Sequence, residues 1–225
     1  MELEIIAKMR CDLPTKFGIP RQSGIVPELR GEVVFEKKYA VPASVRGIGG
    51  FSHLWLIWGF SENGKREWSP TVRPPRLGGN TKMGVFATRS PFRPNPLGLS
   101  AVRLIGVRER DGELAIEVAG ADLMNGTPIY DIKPYLPLAD CIPDAADGFA
   151  GEVAGDRLEV VFPDSLAEMV PEHARTALVK MLRGDPRPSY HDDPEREYGF
   201  PFAGVDVKFH VCGNVLTVHA VERIN

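Results

Sequence analysis

Short apolar runs alternate along the chain with polar breaks rich in proline and glycine, and the period within most runs is that of strands. Residues 51–60, FSHLWLIWGF, form the most apolar run. Its aromatic and β-branched content and its length predict a buried strand. In residues 113–119, Leu114, Ile116 and Val118 alternate with Glu113, Ala115 and Glu117, which marks a half-buried strand. The Asp111-Gly112 pair before it predicts a tight hairpin from a strand over residues 97–108. Further strands are predicted over residues 3–7, 31–35, 82–88 and 128–133, with a short helical or turn segment over 43–50. Six or seven short strands with scarcely a helix predict a small closed β-barrel. No G-x-G-x-x-G follows a strand, so a Rossmann fold is not indicated.

After this set the pattern changes. Residues 138–156 are rich in Ala, Asp, Gly and Pro and read as a linker. Beyond them, a strand is expected over 158–162 and a helix over 171–183. Pro171 opens that helix, Glu172 sits near its positive end and Gly184 lies past its last turn. A hairpin of 205–211 and 215–221 turns at Cys212-Gly213-Asn214. The expected fold is therefore mainly β: a barrel over residues 1–140, a linker over 141–156 and a small α+β domain over 157–225.

Two polar stretches stand out against this frame. In residues 84–100, GVFATRSPFRPNPLGLS, Pro91, Pro94 and Pro96 exclude a helix or central strand, so Arg89, Ser90, Arg93 and Asn95 sit on a stiff loop between strands. Residues 122–137, DLMNGTPIYDIKPYLP, crowd Asp122, Asn125, Thr127, Asp131, Lys133 and Tyr135 around a Gly126 turn. Rigid loops carrying polar groups on a strand scaffold are the way binding sites are commonly built. The two stretches read as one site.

Composition narrows the partners. The 225 residues are 43% hydrophobic and 25% charged, ordinary globular values. No stretch approaches the roughly 18 apolar residues of a membrane span, and the N-terminal residues lack a secretory pattern, so a cytoplasmic protein is expected. The three cysteines and five histidines show no ligand spacing, and no metal is expected. Net charge is −3, yet residues 66–108 hold eight Lys or Arg against one acid, whereas residues 140–225 hold sixteen acids against eight bases. A local basic stripe is what attracts phosphates, whatever the total charge. Arg73 and Arg76 beside Pro74 and Pro75 are candidates for that contact.

Four motifs, ATRSPFRPNPLGLS, NGTPIYDIKPYLP, PTVRPPRLGG and DPRPSY, together resemble the TrmO (TsaA-like) family over about residues 5–221. These are tRNA N6-threonylcarbamoyladenosine methyltransferases that use S-adenosylmethionine on a β-barrel. The resemblance implies a homodimer, a tRNA substrate and cofactor contacts at Pro20, Arg21, Gln22, Arg89, Leu99, Asp122, Leu123, Met124 and Asn125. Ser61 and Glu62 stand where relatives typically carry His and Gln, and Asn125 where they often carry Asp. Such a cofactor needs an Arg for its carboxylate and an acid or amide for its ribose diol, and Arg89, Asn95, Asp122, Asn125 and Thr127 supply these types. Asp131 or Tyr190 is the candidate to receive the N6 proton, with Lys133 or Arg93 orienting the substrate carboxylate. Arg187 could reach over the barrel mouth toward RNA. Two other functions fit the same residues: a non-catalytic RNA-binding barrel, or a methyltransferase with a different acceptor.

Overall fold

Six strands close on themselves in the computed structural model, which describes residues 2–62, 68–152, 158–187 and 193–224. They are β1 (Ala7–Cys11), β2 (Arg30–Phe35), β3 (His53–Gly59), β6 (Leu97–Arg110), β7 (Glu113–Ala119) and β8 (Pro128–Pro134); β4 (Thr71–Val72) and β5 (Met83–Gly84) make a separate ribbon between β3 and β6. The barrel order is β1-β2-β7-β6-β3-β8, and the pairs Ala7↔Ile129 and Lys8↔Pro128 close it. Closure removes the sheet edges, which a six-stranded open sheet would leave unpaired. Alternation then decides the core: Ala7, Met9, Val33, Leu54, Leu56, Val102, Ile116, Val118 and Ile129 point inward and are buried. At the β6–β7 turn Asp111 and Gly112 both take positive φ, 53° and 76°, as that two-residue hairpin requires.

The second unit follows two single-turn helices, α1 (Pro137–Asp140), at the end of the expected barrel segment, and α2 (Phe149–Glu152), within the expected linker. It contains β9 (Glu159–Val161), α3 (Asp164–Ala167), α4 (Glu172–Arg183), β10 (Tyr198–Phe202), β11 (Val205–Cys212) and β12 (Val215–Arg223). The sheet order is β10-β11-β12-β9, with only β9 parallel to its neighbour. Helix α4 buries Ala174, Ala177, Leu178, Met181 and Leu182, the spacing of one helical face. That face packs on Phe200, Phe202, Phe209 and Leu216, all essentially inaccessible. Burying each phenyl ring contributes about 2–3 kcal/mol.

The long loop over residues 12–29 joins the two units. Leu13, Val26 and Leu29 belong to the C-terminal core although they precede the second barrel strand in sequence. The Gly18 backbone has φ +93°, and a Cβ there would lie 2.7 Å from the Phe200 ring. Lys180 bonds Glu28, and the Ala203 amide donates to the Asp12 carbonyl at 3.2 Å. The loop is thus clamped by residues more than 150 positions away.

The mainly β architecture agrees with expectation, and several local boundaries do not. The first strand begins at Ala7, because Leu3 and Ile5 are exposed and it is Ala7 and Met9 that face inward. In place of a strand over 82–88 there are the two residues of β5 and then a 3-10 turn, Val85–Ala87. That turn buries Val85 and leaves Phe86 largely exposed. Strand β10 was not expected; its apolar positions Tyr198, Phe200 and Phe202 are buried in alternation with Gly199 and Pro201.

Candidate functional site

A cavity of about 480 Å³ opens where the ends of β3 and β6 meet the loops. Its walls come from Lys16 and residues 19–22 of the clamped loop, from residues 58–62 at the end of β3, from Arg89, Pro91 and Arg93, and from Leu97–Leu99 together with Asp122, Met124 and Thr127. Trp55, on the outer face of β3, adds an aromatic side. In the β3–β8 ladder a bulge falls between Ile57 and Trp58, next to this cavity. Bulges commonly re-aim side chains beside sites.

The arginine and acid of the two polar stretches, Arg89 and Asp122, line this same hollow. Asp122 is largely withdrawn from water, and burial pushes its carboxyl above the ordinary carboxylate range. Working against burial are the Ser100 hydroxyl, the backbone N–H groups of Asp122 and Ser23, and the charge of Arg89. The Arg89 guanidinium is exposed and donates to the Gln22 side-chain oxygen, tying the stiff loop to the clamped one. Arg21 extends the tie: its Nη2 donates to the carbonyls of Asp185 (3.1 Å) and Arg187 (3.2 Å). Through Arg21 the C-terminal unit holds one wall of the cavity.

Eleven of the residues singled out from the sequence line this one hollow: Pro20, Arg21, Gln22, Ser61, Glu62, Arg89, Arg93, Leu99, Asp122, Met124 and Thr127. Others lie off its walls. Leu123 points into the barrel core. The Asn125 side-chain oxygen accepts the Cys11 amide at 3.1 Å, so this residue fastens the 122–127 loop to the end of β1. Asn95 is exposed at the tip of the proline loop, where its carbonyl accepts the Leu97 amide. Arg93 turns inward: its Nη2 donates to the carbonyls of Val85 (3.2 Å) and Thr88 (2.8 Å), bracing the loop that carries Arg89.

Asp131 and Lys133 pair with each other at 2.9 Å on the outer face of β8. Their ladder partners on β3 are Ile57 and Trp55, so Lys133 neighbours the cavity's aromatic side. Arg187 binds Asp185 through Nε and Nη2, each at 2.9 Å. Arg73 is exposed beside β4. The Arg76 side chain and Tyr190 lie outside the described residues. Among the described residues no group of three or more His, Cys, Asp and Glu could hold a metal ion, and no helix is long and apolar enough to cross a membrane.

The model of the tRNA-methyltransferase O N-terminal domain matches residues 8–141, and that of the TrmO C-terminal domain matches residues 156–224. The chain belongs to the tRNA-methyltransferase O family. It is 38% identical over 229 residues to a tRNA (adenine(37)-N6)-methyltransferase of Escherichia coli strain K12, covering 98% of this chain and 97% of that one. To the tRNA (adenine(37)-N6)-methyltransferase of Eikenella corrodens it is 46% identical over 175 residues, 77% of this chain and 98% of the relative. A crystal structure of TrmO from Pseudomonas aeruginosa superposes with a TM-score of 0.76 at 30% identity, covering 98% of both chains.

Some residues of this family member's cavity escaped sequence reasoning. Lys16, Ile19, Trp55, Trp58 and Phe60 line it without belonging to a recognisable polar motif, and Gly98 lies within the proline-rich stretch without having been singled out. Ser100 lies directly behind Asp122 and is only 1% exposed. One signal was present: in the inward frame of β6, Ser100 and Val102 are consecutive, and a hydroxyl in that frame needs a partner.

Proposed function

We propose that this chain is an S-adenosylmethionine-dependent tRNA methyltransferase that acts on N6 of threonylcarbamoyladenosine at position 37, next to the anticodon. The observation that carries the reading is the single cavity in which Arg89 and Asp122 face one ligand volume between proline-stiffened loops. Its volume lies within the range of small-molecule sites, and its lining suits the donor. Arg89 or Arg21 would take the carboxylate, and Asp122 the ribose hydroxyls or the cationic end. Trp58, Leu97 and Leu99 offer apolar surface. When bound, S-adenosylmethionine supplies an activated methyl group.

The chain's own contribution is to position groups and to move a proton. Stiff loops hold the reactants at near-attack distance, and this can account for a large part of the rate. The acceptor nitrogen is urea-like and poorly basic, so its proton must leave during attack. Asp131 is assigned that proton among the described residues, with Lys133 beside it for the threonyl carboxylate; Tyr190 is the other candidate. Arg73, Arg76 and Arg187 contact the RNA. The working form is a homodimer in the cytoplasm, with residues 1–140 carrying the chemistry and residues 157–225 bracing it.

Mass spectrometry of tRNA nucleosides from cells lacking the protein tests the reaction. The methyl on the hypermodified adenosine should disappear and return with the wild-type gene. Unchanged nucleosides would refute it. Calorimetric titration with S-adenosylmethionine separates the enzyme from a non-catalytic RNA-binding barrel, which would show no saturable binding. For the proton acceptor, an unchanged single-turnover rate in Asp131→Asn removes that assignment.

A further inference from the structure

At the cavity wall, three side chains form a chain of hydrogen bonds whose direction is fixed while Asp122 is ionised. The Trp58 Nε1 donates to the Ser100 Oγ at 2.9 Å, and the Ser100 Oγ donates to the Asp122 Oδ1 at 2.5 Å. An indole nitrogen can only donate, so the serine oxygen accepts from it, and while Asp122 is ionised the one serine proton points to its carboxylate. That leaves Oδ1 as an acceptor, at a distance typical of a hydroxyl on a charged carboxylate. The carboxylate, which also receives the backbone N–H groups of Asp122 and Ser23, lines the cavity.

The fold prepares this arrangement from both strands. Gly98 stands opposite Trp58 in the β3–β6 ladder, and a Cβ built on Gly98 would overlap the indole ring. The absent side chain lets the indole lie across β6 and reach Ser100. Ser100 is 1% exposed, so the hydroxyl at the centre of the relay is sealed from solvent. Such a sealed hydroxyl is costly without partners and holds its geometry tightly once both are made.

We infer that Ser100 is a positioning residue, oriented by Trp58, that aims the Asp122 carboxylate into the cavity as a hydrogen-bond acceptor for S-adenosylmethionine. The inference rests on the methyltransferase reading above. The charged groups that line the cavity with Asp122 are Arg89 from the proline loop, Lys16 and Arg21 from the clamped loop, Glu62 beyond the end of β3, and Arg93, and of these the Arg89 charge acts on its carboxyl. Among the side chains, Ser100 supplies the hydroxyl donor to Oδ1, beside the backbone N–H groups of Asp122 and Ser23 that also bond the carboxylate. Removing that hydroxyl lets the protonated form of Asp122 persist to higher pH.

The test is calorimetric titration of the full chain with S-adenosylmethionine from pH 5 to pH 8. It compares wild type, Ser100→Ala, the double variant Trp58→Phe with Ser100→Ala, and Trp58→Phe alone. The double variant removes the indole donor that Ser100→Ala would orphan, and Trp58→Phe alone leaves the hydroxyl free to turn away. Folding is checked by thermal melting. Expected are affinities about tenfold or more below wild type for the Ser100 variants, with the acid limb of binding moved to higher pH. Trp58→Phe should move it part of the way. Wild-type binding with the wild-type acid limb in folded variants overturns the inference alone; so does a loss that is uniform across pH, which marks a merely structural role. Absence of binding by wild type overturns it together with the cofactor reading.

Discussion

Substituting Gly18 by Ala tests whether the C-terminal core positions the cavity wall. Two costs add at this position. A residue with a Cβ at φ +93° loses about 1–2 kcal/mol relative to an ordinary conformation. The new carbon would also sit 2.7 to 2.9 Å from three atoms of the Phe200 ring, which is 1% exposed and packed on all sides. Overpacking of that kind costs about 1–3 kcal/mol. Gly24→Ala is the internal control: its φ is +79°, but nothing lies within 4 Å of its Cβ, so it carries the backbone cost alone. Gly18→Ala should therefore be about 1–3 kcal/mol less stable than Gly24→Ala, read as the difference in urea midpoints at equal slope. Phe200 can yield only by moving the loop, so residues 16–22 shift with it. The KM for S-adenosylmethionine should rise in Gly18→Ala with kcat at saturation largely retained. Equal stability of the two variants, or a kcat loss without a KM change, would refute the coupling of core to wall.

Asp122→Asn should bind S-adenosylmethionine poorly yet melt no lower than wild type near pH 7. The reason is that the folded carboxyl titrates above its unfolded value of 3.8, so its ionised form costs stability as pH rises through the folded value. The stability difference should shrink below about pH 4, where both states are protonated, and a variant that melts lower at pH 7 contradicts this. Glu113 has the opposite sign. Bonds from Arg10 and Arg108 hold its carboxyl down to about 2, so its stabilising contribution is complete above 4.5 and lost as pH falls toward 2. Glu113→Gln should flatten the acid limb of a stability–pH curve over that window, and an unaltered limb counts against the ion network. Among the thiols, Cys141 and Cys212 are exposed, whereas burial pushes the Cys11 thiol up to about 11 and its Sγ donates to the Leu123 carbonyl at 3.3 Å. A thiol reagent at pH 8 should titrate two groups in the folded protein and the third only in denaturant.

Much of this protein was determined locally. Alternation in β7 set the inward face, the Asp111-Gly112 pair set the hairpin, and one apolar stripe set α4, because each rests on neighbours within a few residues. Prolines around Arg89 and the crowded polar groups after Asp122 likewise announced the loops that line one cavity. The tertiary structure decided the rest. It assigned Arg93 and Asn125 to backbone carbonyls and amides, placed Leu13, Val26 and Leu29 in the C-terminal core, and set Ser100 between Trp58 and Asp122. The physical reason is distance along the chain. Barrel closure and core packing bring together groups as far apart as Glu28 and Lys180, and such contacts leave no period or spacing in the sequence by which they could be read.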